Sequence, residues 1–197
     1  GDTIAGGTGI DTVTYENSTS GVTVDLTKDG IAQVSGGDAS GDILAADVEN
    51  VIGTDKDDTI TGDANGNVLV GGLGNDILTA GAGVDQLRGG ANNDFLLFGA
   101  DLTAADVADG GDGDDTLILT AGATYANNFT FSATTLAGIE EIDLGDGNRY
   151  NLTLNDANVD KQLVIDGSAL TGLNTLFLNG APELTGHLIV FAGSGSD

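Results

Sequence analysis

A nine-residue period runs through the middle of the chain and limits its possible folds more than any other feature. Five contiguous nines overlay from Gly53 to Leu97: GTDKDDTIT, GDANGNVLV, GGLGNDILT, AGAGVDQLR and GGANNDFLL. Their sixth places read Asp58, Asn67, Asp76, Asp85 and Asp94, and their eighth places Ile60, Leu69, Leu78, Leu87 and Leu96. Two isolated units match as well, 6–14 with Asp11 and Val13, and 110–118 with Asp115 and Leu117. The chain opens inside one unit at Gly1-Asp2 and closes inside another at Ser196-Asp197, in the same phase. That phase suggests a segment cut from a longer solenoid, with further repeats at both ends.

The spacing implies the local structure. Six positions rich in Gly, Asn and Asp make a turn, because glycine reaches positive φ without a Cβ clash. Three residues then make a short strand whose middle side chain points away from its neighbours. Two nines form one coil of a flattened solenoid, and alternate nines stack on the same edge about 4.8 Å apart. The eighth-place Leu and Ile side chains fill the interior, each coil burying its apolar row only against its neighbours.

That stacking creates an electrostatic problem. Asp58, Asp76 and Asp94 share one edge, with Asp115 placed to follow Asp94 after a three-residue insertion, while Asn67 and Asp85 share the other. Like charges roughly 5 Å apart repel by about 1–3 kcal/mol each at dielectrics between water and a protein surface. The rest of the chain offers little relief: Asp plus Glu is 31, Lys plus Arg only 5, and the formal net charge −26. A cation between successive turns reverses the sign. Calcium accepts six to eight oxygens in flexible geometry, whereas magnesium demands a tight octahedron. Zinc lacks its usual ligands, since the chain has one His and no Cys. The candidate ligands for several calcium ions are the side chains of Asp11, Asp58, Asn67, Asp76, Asp85, Asp94 and Asp115. Turn positions Gly72, Gly74, Gly81, Gly83, Gly90, Asn92, Gly111 and Gly113 complete the candidate sites. Asn67 carries no charge, so its site is expected to bind more weakly. Protons, magnesium and screening salt are expected to substitute poorly.

The pattern G-G-x-G-x-D-x-U-x, met at every fixed position by 71–79 and 110–118, resembles the nonapeptide signature of RTX proteins, the hemolysin-type calcium-binding repeats. The unit 80–88 departs at the first Gly, 89–97 has Asn92 for the second turn Gly, and 53–61 and 62–70 lack most glycines. The resemblance implies an all-β fold, a right-handed parallel β-roll or β-helix solenoid with calcium in the turns. It also implies type I secretion from a bacterium, an unfolded state in the low-calcium cytoplasm, and folding outside the cell.

The flanks read as irregular extensions. Segments 12–15 and 22–26 alternate like strands around a turn at 17–21, and 35–42 resembles a degenerate turn. Residues 101–109, DLTAADVAD, are the best helix candidate. Beyond 139 short apolar strands recur every 11–13 residues, at 139–144, 152–154, 163–165, 176–178 and 188–190. Near-constant spacing favours further solenoid rungs over an antiparallel sandwich. The chain thus divides into a calcium-dependent roll, 1–118, and a metal-poor β-helical continuation, 119–197.

Composition and motifs exclude other functions. A chain this acidic repels nucleic acid and anionic membranes, and no apolar run approaches a membrane span. No HExxH, GxSxG, P-loop or cysteine nucleophile is present. His187 reads as a solvated turn residue, and Arg88 and Arg149 as screens for acidic neighbours. Tyr15, Tyr125 and Tyr150 do not cluster as a sugar platform. The expected function is therefore non-enzymatic: a structural calcium-binding segment of an extracellular or cell-surface bacterial protein of adhesin, S-layer or matrix type. Its partners are calcium, further copies or repeats of the parent chain, and possible glycan or cell-surface contacts. The alternative is an export and folding module of a secreted hydrolase whose catalytic domain lies elsewhere.

Overall fold

The computed structural model describes residues 1–33, 36–99, 102–120, 129–132, 134–146, 149–154, 162–172, 174–179 and 186–194. Strands are numbered in chain order. One sheet of eight carries β3 (Thr23–Asp25), β6 (Thr59–Thr61), β8 (Ile77–Thr79), β10 (Phe95–Phe98), β12 (Thr116–Leu119), β15 (Glu141–Leu144), β17 (Gln162–Asp166) and β19 (His187–Phe191), in that spatial order. A second sheet of six carries β2 (Thr12–Thr14), β5 (Asn50–Ile52), β7 (Val68–Leu73), β9 (Gln86–Ala91), β11 (Val107–Asp112) and β14 (Leu136–Ala137). A sheet of three joins β13 (Phe129–Thr130), β16 (Tyr150–Thr153) and β18 (Leu176–Asn179), and β1 (Thr3–Ile4) pairs with β4 (Ile43–Leu44). From β5 to β12 the chain alternates between the two large sheets at every strand, as a flattened solenoid requires.

Register follows the nonapeptide. In the eight-stranded sheet Val24, Ile60, Leu78, Leu96, Leu117, Ile142 and Ile165 lie one above the next, all fully buried. In the six-stranded sheet Val13, Val51, Leu69, Leu87, Ala108 and Leu136 form the facing row. Each fully buried Leu or Ile contributes roughly 1.5–3 kcal/mol, so the two rows form the central part of a core that also takes in Phe98, Leu119, Leu144 and Tyr150.

Two expectations about the flanks meet the structure differently. The rungs beyond 139 are parallel, β12 on β15, β15 on β17 and β17 on β19, so the sandwich is excluded for these strands. The eight-stranded sheet passes position 118 without a break. The helix expected over 101–109 is absent from its described part, 102–109: a turn at Ala104–Ala105 leads directly into β11. The reason is Asp106, whose Oδ2 accepts the Thr103 N–H while its Oδ1 accepts the Asp85 N–H of the neighbouring coil. Side-chain bonds of this kind offer the backbone an alternative to helix. Counting back nine from Gly110 shows that 101–109 is a disguised unit, with Asp106 sixth and Ala108 eighth.

The insertion between β3 and β4 covers one end of the large sheet. Gln33, 2% exposed, donates from Nε2 to the Asp25 carbonyl and accepts the Asp25 N–H at Oε1, at 3.1 and 2.8 Å. Its amide thus stands in for a neighbouring strand at an edge that would otherwise be open. The degenerate turn read at 35–42 lies partly outside the described residues, and its later part is a 3₁₀ turn at Gly37–Ala39. The closing positions 195–197, with Ser196 and Asp197, and Tyr125 lie outside the described residues too.

Candidate metal centre

The sixth-place acids of alternate nines stack into columns, one bond per coil. On one edge Val22 N–H donates to Asp58 Oδ1 (2.7 Å), Asp58 N–H to Asp76 Oδ1 (2.7 Å), Asp76 N–H to Asp94 Oδ1 (2.8 Å), and Asp94 N–H to Asp115 Oδ1 (2.8 Å). On the other edge Asn67 N–H donates to Asp85 Oδ1 (2.8 Å) and Asp85 N–H to Asp106 Oδ1 (2.7 Å). Asp11 joins this second edge, its N–H donating to Glu49 Oε2 at 2.8 Å. Asp58, Asn67, Asp76, Asp85, Asp94, Asp106 and Asp115 are all buried.

What each acid does with its second oxygen separates them. At Asp58, Oδ2 accepts the Thr54 N–H, and Oδ1 also accepts the Thr54 hydroxyl. At Asp42, Oδ2 accepts the Tyr15 hydroxyl at 3.1 Å. Burial, then the Asp42 charge, pushes that phenol well above its usual range. At Asn67 the amide nitrogen donates to the Glu49 carbonyl at 2.7 Å, so the coil joint is closed by an N–H. Asp76, Asp94 and Asp115 on the first edge, and Asp11 on the second, have an Oδ2 enclosed by protein and without a hydrogen-bond partner. A buried carboxylate left in this state costs several kcal/mol unless something positive reaches it.

The protonation behaviour agrees. Burial is the leading cause that lifts Asp76 to about 7, with the charges of Asp94 and Asp58 adding to it. Burial likewise lifts Asp94 and Asp115 to about 6, helped by the charge of Asp115 on the first and of Glu140 on the second. Asp58 is raised as well, again by burial.

The turn glycines pack against carbonyl oxygens of the neighbouring coil. A Cβ on Gly72 would lie 2.0 Å from the Thr54 carbonyl oxygen, on Gly90 2.1 Å from that of Gly72, and on Gly111 2.1 Å from that of Gly90. Gly72, Gly90 and Gly111 therefore leave no room for a side chain, and the carbonyls of Thr54, Gly72 and Gly90 run in a row along the stack. On the other edge Gly81 meets the Asp63 carbonyl in the same way. Fourth places Gly74, Gly83 and Gly113 also have positive φ, and Asn92, at φ 81, is the one non-glycine residue to do so among those described. Asn tolerates that region better than most residues.

Among the described residues no three acidic, Cys or His side chains converge on one point. A cation here would be held by carboxylates of successive coils plus turn carbonyls, the mixed oxygen set that suits calcium and not zinc. The orphaned oxygens of Asp76, Asp94 and Asp115 fit that requirement.

Several participants escaped the sequence reading. Glu49 is the sixth residue of a unit 44–52 that has no glycine, and Asp106 that of the disguised unit. Fifth places form a second ladder: Asn75 N–H donates to Asp57 Oδ1, Asn93 N–H to Asn75 Oδ1 and Asp114 N–H to Asn93 Oδ1. These bonds run opposite to the acid ladder, so each turn is held from both sides. The signal was present at a spacing of eighteen: fifth places are Asp, Asn, Asn on one edge, and Gly66 and Val84 on the other. Arg88 contacts the Gln86 side chain rather than an acid, and His187 is exposed at the start of β19.

A family model for the RTX calcium-binding nonapeptide repeat matches four copies in this chain, over residues 45–78, 61–96 and 102–125. The first match takes in Glu49 and the third Asp106. No curated protein matches the chain.

Proposed function

As the chain carries hemolysin-type RTX calcium-binding nonapeptide repeats, we propose that it is a structural segment of a bacterial extracellular or cell-surface protein, of adhesin, S-layer or matrix type. In this reading several calcium ions sit between successive turns. Asp58, Asp76, Asp94 and Asp115 serve one edge, and Asp11, Asn67, Asp85 and Asp106 the other, with carbonyls of the glycine turns completing each site. Metal dependence belongs chiefly to the roll of 1–118, and the rungs of 119–197 are metal-poor and held mainly by packing. The chain leaves the cell unfolded through a type I system and folds where calcium is plentiful. No helix among the described residues is long and apolar enough to cross a membrane.

The observation that carries this reading is the set of buried, unpartnered oxygens on Asp76, Asp94 and Asp115. Metal binding that completes such sites is folding free energy. Circular dichroism with chelator, then with calcium, tests it: the strand signal and thermal midpoint should fall on chelation and return with calcium but not magnesium. Indifference to chelation would refute the metal reading. Hydrolysis of a glycan, ester or peptide by the calcium-loaded chain would refute its non-catalytic character.

A further inference from the structure

The acid column outlasts the nonapeptides. We infer that Asp115 and Glu140 form a further site for a hard divalent cation, closed by a glutamate that belongs to no nonapeptide. Asp115 N–H donates to Glu140 Oε2 at 2.9 Å, the bond that Asp94 N–H makes to Asp115 Oδ1 one coil earlier at 2.8 Å. Asp115 is 0% exposed, and its Oδ2 has no hydrogen-bond partner.

The backbone shows why the closing residue is Glu. A Cβ on Gly53 would lie 2.6 Å from the Gly71 carbonyl oxygen, and on Gly89 2.7 Å from that of Gly110. On Gly110 it would lie 2.0 Å from the carbonyl oxygen of Gly138. Gly138 therefore holds the leading place of the next turn and Glu140 the sixth, with Ile142 in the core row as the eighth. Only Ile139 separates Gly138 from Glu140, where four residues separate these places in a nonapeptide. In this shortened turn the extra methylene of Glu lets its carboxylate meet the Asp115 N–H, as the Glu49 carboxylate meets the Asp11 N–H.

The shortening leaves room beside the bond. A cleft of about 440 Å³ opens there, lined by Asp114, Asp115, Thr116, Glu140, Glu141 and Gln162. The Asp115 and Glu140 carboxylates and the Gly138 carbonyl supply oxygens, and the cleft admits water for the rest of a calcium shell.

The inference rests on the calcium reading of the repeats, and its test separates the two. Crystals of the whole chain grown with terbium in place of calcium should show an anomalous peak between Asp115 and Glu140, besides peaks in the upstream turns. Calorimetric titration with calcium should show one ion fewer per chain for Glu140→Gln than for wild type, with the rest retained. Asp76→Asn should instead lose binding upstream and keep the Asp115–Glu140 peak. Upstream peaks without one at Asp115–Glu140 overturn the inference and leave the calcium reading intact. A folded chain with no peak anywhere overturns both. Should Glu140→Gln not fold, the wild-type peak decides.

Discussion

Asp76 ties together two neighbouring coils: its Oδ1 accepts the Asp58 N–H, its backbone N–H donates to Asp94 Oδ1, and its Oδ2 has no hydrogen-bond partner. Asp85 also links two coils but leaves no such enclosed orphan. We therefore expect Asp76→Asn to weaken calcium binding at least tenfold, about 1.4 kcal/mol, and Asp85→Asn to weaken it less. Calorimetry giving the reverse order would refute this assignment. The same residues set the pH dependence. With Asp76 near 7 and Asp94 and Asp115 near 6, above the ordinary 3.8, the metal-free fold holds more protons than the unfolded chain. Its stability is greatest below about pH 4 and falls as pH rises through about 7. With calcium the dependence inverts, because protons compete for the same oxygens. A proton relieves repulsion without bridging two coils, so the acid form without metal should melt below the calcium form at pH 8. Melting curves with and without chelator between pH 4 and 8 check both signs.

At the scale of the element, the regular nines were legible because turn and strand chemistry agree. Glycine at second and fourth places, an acid at the sixth and an aliphatic at the eighth each point to the same coil, and the stacked columns of Asp58, Asp76 and Asp94 follow from counting. What escaped notice were units whose turns are built without glycine. The 44–52 unit offers Glu49 and Val51, and 101–109 offers Asp106 above Ala108, a helix-forming composition whose register comes only from the neighbouring coil. Glu140 was hidden because its turn is short, and a fixed period cannot find a shortened turn. Gln33 was equally hidden, because nothing local marks a side chain that will pair with a strand edge. Gln33→Ala should leave the Asp25 N–H unpaired and its C=O with only the Lys28 N–H, at a cost of about 1–3 kcal/mol. The loss should be equal in calcium and in chelator, since the cap lies apart from the acid columns. Denaturant titration in both conditions measures it, and a loss confined to the calcium form would contradict the capping role.

For the molecule as a whole, the two ladders matter more together than either alone. Acid side chains accept from the coil before and fifth-place side chains accept from the coil after, and a bound cation would join the same pair of turns. Among the described residues each coil of the large sheets pairs with its neighbouring coils, so load applied between the two ends passes through the junctions in series. Such a chain should extend stepwise. Releasing one 18-residue coil adds about 60 Å of contour length at roughly 3.4 Å per residue. In an optical trap, steps of that size should need more force in calcium than in chelator over 53–97, while the coils beyond β15 yield at forces that calcium does not change. A single cooperative rupture, or steps indifferent to calcium, would contradict this picture. A tether built this way has a tensile strength set by the ionic composition of the water around it.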